Sequence, residues 1–244
     1  MSRSTPASVV LRSTAFLIAA VCITPPYAVL AWLVWLLPAR LRYRIVTSWS
    51  HLIVGLARAI CGIEYRVEGR APDGGPYIVL AKHQSAWETL AFQVLFPPQV
   101  LVLKRWLLWL PFFGWGLATL SPITVDRASG TQTLRRLLLQ GRDRLAQGFW
   151  VIVFPEGTRV RPGQRVRYQA GGAWLACKTN VPVIPVAHDA GRLWPKNGFL
   201  KYPGTITVRI GMPIDPSGIS TEELNRRVSD WIEREMQTIG RAQS

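Results

Sequence analysis

A chain of 244 residues with 29 Lys and Arg against 14 Asp and Glu carries a formal charge of +15, which calls for an anionic partner: nucleic acid, anionic lipid or a phosphorylated substrate. Hydrophobic residues make up 49% and include 11 Trp, which argues against a nucleic-acid module and for contact with a membrane interface. The length suffices for one catalytic domain plus an appendage, and Cys22, Cys61 and Cys177 form no CxxC or metal-ligand spacing, so free thiols in a reducing compartment and no metal are expected.

In chain order, the first feature is an uncharged stretch from Ser13 to Ala39, flanked by Arg3 and Arg12 before it and Arg40, Arg42 and Arg44 after it. Pro25-Pro26 at its centre predicts a break into two helical arms, Ser13–Thr24 and Tyr27–Ala39. At about 1.5 Å per residue each arm spans only ~18–20 Å, short of a ~30 Å hydrocarbon core. Residues 1–44 are therefore expected to form a membrane anchor: a hairpin dipping into one leaflet with both ends cytoplasmic, or one kinked span. Either form attaches the protein to a bilayer, and the cytoplasmic face of the inner membrane is its expected location.

Residues 45–244 read as an α/β domain. Apolar runs at Tyr77–Ala81, Val100–Leu103, Ile123–Val125, Trp150–Phe154, Val181–Ala187 and Thr205–Ile210 predict strands covered on both faces. Ser129-x-x-Gln132 and Ser220-x-x-Glu223 read as capping boxes opening amphipathic helices. The first has Leu134, Leu137, Leu138 and Leu145 inward and stops at Gly148; the second turns Leu224, Val228, Trp231, Ile232 and Ile239 inward. The expected fold is a mostly parallel central sheet flanked by helices, behind the helical anchor.

Three clusters carry chemistry. His83 stands just past an apolar strand with Glu88 five positions on. An imidazole can take a proton from an alcohol while a carboxylate fixes its tautomer, although a structural histidine capped by an acid has the same spacing. Phe154-Pro155-Glu156-Gly157-Thr158-Arg159 closes another strand with a carboxylate, a permissive glycine, a hydroxyl and a guanidinium whose fork suits phosphate; an ordinary strand-to-turn junction reads alike. In Lys104 to Gly114, two cations precede a run of aromatics, which fits a phosphate held at a membrane interface or a core helix with a charged start.

In this order the segments resemble the 1-acyl-glycerol-3-phosphate acyltransferase family. Lys82, His83 and Glu88 are similar to its Asn/Lys-His-x4-Asp motif, and Lys104, Leu107, Pro111 and Gly114 to its Lys-x2-Leu-x3-Pro-x2-Gly motif. Ile123 to Arg127 is similar to a short strand ending in Asp-Arg, Phe154 to Arg159 to Phe-Pro-Glu-Gly-Thr-Arg, and Val181 to Val186 to the fourth motif, so the likeness spans residues 77–187. The resemblance implies transfer of an acyl group from acyl-CoA or acyl-carrier protein to the sn-2 hydroxyl of lysophosphatidic acid, giving phosphatidic acid. It implies His83 as base and Glu88 as its orienting acid. Lys104 and Arg159 would hold the phosphate, Glu156, Gly157 and Thr158 would line the glycerol end, and no cofactor beyond the donor is expected.

Two departures stand out. Glu88 replaces the family's shorter Asp, and Lys82 stands where Asn is common, adding a cation that could anchor phosphate or depress the basicity of His83. Other readings are acylation of a different lysolipid, such as a lyso-ornithine lipid, and a non-catalytic lipid-binding membrane protein. A serine hydrolase using Ser85 lacks a Gly-x-Ser-x-Gly elbow. His51 and His188 are assigned no role.

Overall fold

The computed structural model describes residues 6–96, 98–125 and 130–241. The sequence-predicted Asp126-Arg127 pair and the Ser129 cap lie outside the described residues.

Two helices come first, α1 (Ala7–Leu33) and α2 (Ala39–Cys61). The expected break is not there: Pro25 and Pro26 lie inside one continuous helix. Their missing N–H groups leave the carbonyls of the preceding turn short of donors, and the turn is buttressed by the Thr24 hydroxyl, which donates to Ala20 O at 2.6 Å. α1 is long and apolar enough to cross a membrane, and much of its apolar surface is bare, with Leu11, Ile18, Trp32 and Leu33 all exposed. Its other side belongs to the core. Phe16 meets Trp194 edge-on, and the buried Ser13 hydroxyl accepts the Lys201 N–H at 2.9 Å. α2 starts inside the segment expected to be anchor and is amphipathic, turning Tyr43, Val46, Ile53, Val54 and Ala57 inward until Gly62, in the left-handed conformation, ends it.

Seven strands form one sheet. They are β1 (Ile63–Glu68), β2 (Ile78–Ala81), β3 (Gln99–Lys104), β4 (Ile123–Val125), β5 (Trp150–Val153), β6 (Val183–His188) and β7 (Gly204–Ile210), in the order β1-β7-β6-β2-β5-β3-β4. All neighbours are parallel except β6 and β7. The central strands are buried on both faces, which is why they read as continuous apolar runs.

Alternation along β2 sorts the layers. Val79 and Ala81 pack toward α1, α2 and α3 (Trp87–Leu95), whereas Ile78 and Leu80 pack toward α5 (Gly130–Ala146), α6 (Gly171–Thr179) and α8 (Thr221–Arg241). Two short helices complete the fold, α4 (Phe113–Thr119), after a 3-10 turn at Arg105–Trp109, and α7 (Ala190–Leu193). α8 is capped as expected, its Glu223 N–H donating to the Ser220 hydroxyl at 3.2 Å. The expected Leu224, Val228, Ile232 and Ile239 are buried, Trp231 only partly.

Candidate active site

β2 and β5 are adjacent and parallel, so the segments leaving their carboxyl ends converge on one point of the sheet edge, a usual place for a ligand crevice. His83 leaves β2 and stacks its ring on Phe154, which leaves β5, with centroids 4.1 Å apart. Its main chain is pinned on both sides: the His83 N–H donates to Glu156 Oε2 at 2.7 Å, and its carbonyl accepts the Val160 N–H at 2.7 Å.

Glu88 opens α3 and is fully buried. Its Oε1 receives His83 Nδ1 at 2.8 Å and the N–H groups of Gln84 and Ser85 at 2.8 and 2.7 Å. A carboxylate with three donors on one oxygen can only accept, so Nδ1 carries the proton and Nε2 is the free acceptor. Burial works against charge on Glu88, but the neighbouring His188 and His83 and the hydrogen bonds from His83 and Ser85 outweigh it and hold the carboxyl below the usual range. The longer side chain reaches the His83 imidazole.

Lys82 is placed by the same alternation. It continues the face of Ile78 and Leu80 and points away from the base, into the layer under α8. Its Nζ lies 2.8 Å from Glu156 Oε1 and 2.8 Å from Glu233 Oε1 on α8, and is almost wholly buried. The Tyr168 hydroxyl donates to Glu233 at 2.9 Å. Burial pushes the Glu156 carboxyl up, although Lys82 and the His83 N–H draw it back. Neither sequence expectation for Lys82 is met, since it is turned to other partners than phosphate or the imidazole. Glu156, expected at the glycerol end, has its carboxylate between Lys82 and the His83 main chain, where it holds the His83 N–H. Sequence reasoning did not find Glu233 or Tyr168, because a lone acid in a helix and a lone tyrosine in a loop have no spacing to mark them.

His188 closes the arrangement. Fully buried, it sends Nε2 to Lys82 O at 2.8 Å, and its Nδ1 accepts the Ala190 N–H at 3.3 Å. Burial, ahead of the opposing pull of Glu88, lowers its pKa. It is a support for the strand end that carries the base. His51 lies in α2 with Nδ1 at 3.1 Å from Thr47 O, away from these groups.

His83 opens onto a cavity of about 1330 Å³. One side is walled by Thr24, Tyr27 and Ala28 of α1 and Trp49 of α2, and another by Leu107, Phe113 and Leu117 around α4. Near the base it is bordered by Lys104, Gly157, Thr158 and Arg159, so the structure brings these sequence-predicted residues to one space with His83. Gly157 has φ +64°, which a side chain would strain, and its N–H closes a tight turn onto Phe154 O at 2.9 Å. Among the described residues no group of His, Cys, Asp and Glu could hold a metal ion, and the three cysteines are unpaired with one another.

Residues 62–189 match a protein-family model described as Acyltransferase. Over 210 residues the chain is 44% identical to a 1-acyl-sn-glycerol-3-phosphate acyltransferase of Pseudomonas aeruginosa, the match covering 84% of this chain and 81% of the relative. The chain belongs to the 1-acyl-sn-glycerol-3-phosphate acyltransferase family. A mouse 1-acyl-sn-glycerol-3-phosphate acyltransferase alpha is 28% identical over 190 residues, covering 76% of this chain and 66% of that one. The crystal structure of the 1-acyl-sn-glycerophosphate acyltransferase PlsC from Thermotoga maritima superposes with a TM-score of 0.79 at 25% identity, covering 95% of this chain and 96% of that one. The acyltransferase model ends at residue 189, so Glu233, which holds Lys82, lies beyond the segment it matches.

Proposed function

We propose that the chain transfers a fatty acyl group from acyl-CoA or acyl-carrier protein to the sn-2 hydroxyl of 1-acylglycerol-3-phosphate, forming phosphatidic acid for phospholipid synthesis at the cytoplasmic face of a membrane. The observation that carries this reading is a histidine whose Nδ1 is engaged by a buried carboxylate and whose ring borders a large, mainly apolar cavity flanked by cations. Ordinary small-molecule pockets hold about 300–1,000 Å³, and this one is larger, as an acyl chain requires.

In the reaction His83 Nε2 takes the hydroxyl proton as the acceptor oxygen attacks the thioester carbonyl. The C–O bond forms, the C–S bond breaks, and the proton passes to the departing thiolate, leaving a free thiol and an ester. Glu88 steadies the imidazolium in between. Ser85 is no rival nucleophile: it is fully buried, and its hydroxyl accepts the Trp87 N–H at 3.1 Å.

Arg159 is assigned to the acceptor's phosphate. Arg159→Ala raises the acceptor KM roughly tenfold with kcat little changed, as expected for one charge-assisted hydrogen bond. Unchanged acceptor affinity in steady-state kinetics would remove Arg159 from the site. Purified protein assayed against a panel of lysolipids with both donor types tests the whole reading; turnover of a lyso-ornithine lipid in preference to lysophosphatidic acid would redirect the acceptor assignment.

Attachment to the bilayer is assigned to the bare face of α1 and the exposed Trp35 and Leu36 that follow it. Changing Trp32, Leu33 and Leu36 together to Ser should move the protein out of the lipid fraction in vesicle flotation. Retention there would place the attachment elsewhere.

A further inference from the structure

Two substrates of the proposed reaction carry phosphate, and they need it at different distances from the base. In the acceptor, the reacting hydroxyl and the phosphate sit on neighbouring carbons, so that phosphate lies beside His83. Arg159 meets this requirement, because the next residue, Val160, is hydrogen-bonded to the His83 carbonyl. In either donor the thioester is separated from the 4'-phosphate by the whole pantetheine arm, so that second phosphate must meet the protein further out.

The cavity has further cations with which to meet it. Arg167 and Lys196 both line it, and neither has a carboxylate partner among the described residues. Many arginines outside the cavity do: Arg58, Arg66, Arg192, Arg209 and Arg226 each hold a carboxylate at 2.6–3.2 Å. Among the described residues Glu156 is the one acid lining the cavity, and its charge is already met by Lys82. The two cations come from segments that touch. Arg167 belongs to the loop between β5 and α6, and Lys196 follows α7. Gly191 of α7 is close enough to that loop that an added Cβ would meet Pro162 Cγ at 3.2 Å. The loop is also held in shape, by the Gln169 N–H on Pro155 O at 2.7 Å and by the Tyr168 hydroxyl on Glu233.

We propose that Arg167 and Lys196 form the subsite for the 4'-phosphate of the donor's phosphopantetheine arm. This assignment rests on the acyltransfer reading for its choice of ligand. Phosphopantetheine is shared by acyl-CoA and acyl-carrier protein, and a planar guanidinium beside a flexible ammonium suits its phosphate.

The test uses full-length protein in detergent. Calorimetric titration measures the binding of coenzyme A, of pantetheine without phosphate, and of phosphopantetheinylated carrier protein. Steady-state assays measure KM for acyl-CoA, acyl-carrier protein, acyl-pantetheine and the acceptor. In Arg167→Gln/Lys196→Gln, Kd and KM for the phosphorylated donor rise roughly tenfold, while the values for the pantetheine forms and for the acceptor stay put. A rise confined to coenzyme A or to the carrier protein identifies which of them supplies the phosphate. Arg161→Gln, an exposed cation that does not line the cavity, serves as the control and changes none of them. An equal rise for the pantetheine forms, a rise for the acceptor alone, or no rise at all overturns the subsite. If the double variant is unstable, the two single variants carry the same comparison. Wild-type protein that binds coenzyme A through these cations without transferring acyl groups would instead refute the transferase reading and leave the subsite standing.

Discussion

His83→Ala lowers kcat by about 10²–10⁴-fold while leaving the acceptor KM nearly unchanged, because the imidazole moves a proton and does not grip the substrate. Single-turnover assays with a thioester donor read this directly, and undiminished turnover would refute the base assignment. Glu88→Asp gives a sharper result at the same centre. Glu88 Oε1 meets three donors at 2.7–2.8 Å, and a side chain one methylene shorter cannot keep all three from the same helix start. Although Asp is the family's usual residue, here it lowers kcat.

Lys82→Met is the second large effect, and it acts on stability first. It leaves Glu156 and Glu233 buried without the cation between them, and removing one partner of a buried pair costs about 3–5 kcal/mol. Thermal melts show the loss, and activity falls with it, because Glu156 also holds the His83 N–H. The sign of the pH dependence follows from Glu156, which burial already pushes up even with Lys82 present. Without Lys82 the folded state holds a proton on Glu156 more tightly than the unfolded chain does. Stability relative to wild type therefore recovers as pH falls through the raised pKa of Glu156. Lys82→Met/Glu233→Gln leaves one buried carboxylate instead of two and regains part of the loss. A Lys82→Met deficit that is flat with pH and untouched by Glu233→Gln would mean that the network carries no charge coupling.

The sequence was most readable where a side chain's role is set by its neighbours in the chain. The strand at Trp150–Val153 could be bounded almost to the residue, since a strand covered on both faces must be apolar throughout. His83 and Glu88 could be paired because the turn between them is short. β1 escaped notice: Ile63–Glu68 is an edge strand, with charged residues at alternate positions. Pro25-Pro26 misled for a different reason. Helix-breaking is a statement about an isolated backbone, and α1 has tertiary packing to offset it, with Ala28 and Ala31 beyond the prolines buried. The role of Lys82 could not be read at all, because its partners lie 74 and 151 positions away and its direction depends on which sheet face it inherits (156 − 82 and 233 − 82).

The cavity wall contributed by Thr24, Tyr27 and Ala28 means that α1 is not a detachable tether. Removing it for the sake of solubility would unroof the substrate chamber and strip Phe16 and Ser13 from their partners on Trp194 and Lys201. The same sharing constrains evolution and engineering. A body grafted onto a foreign first helix would inherit another protein's cavity wall, so α1 and the rest of the fold are constrained together.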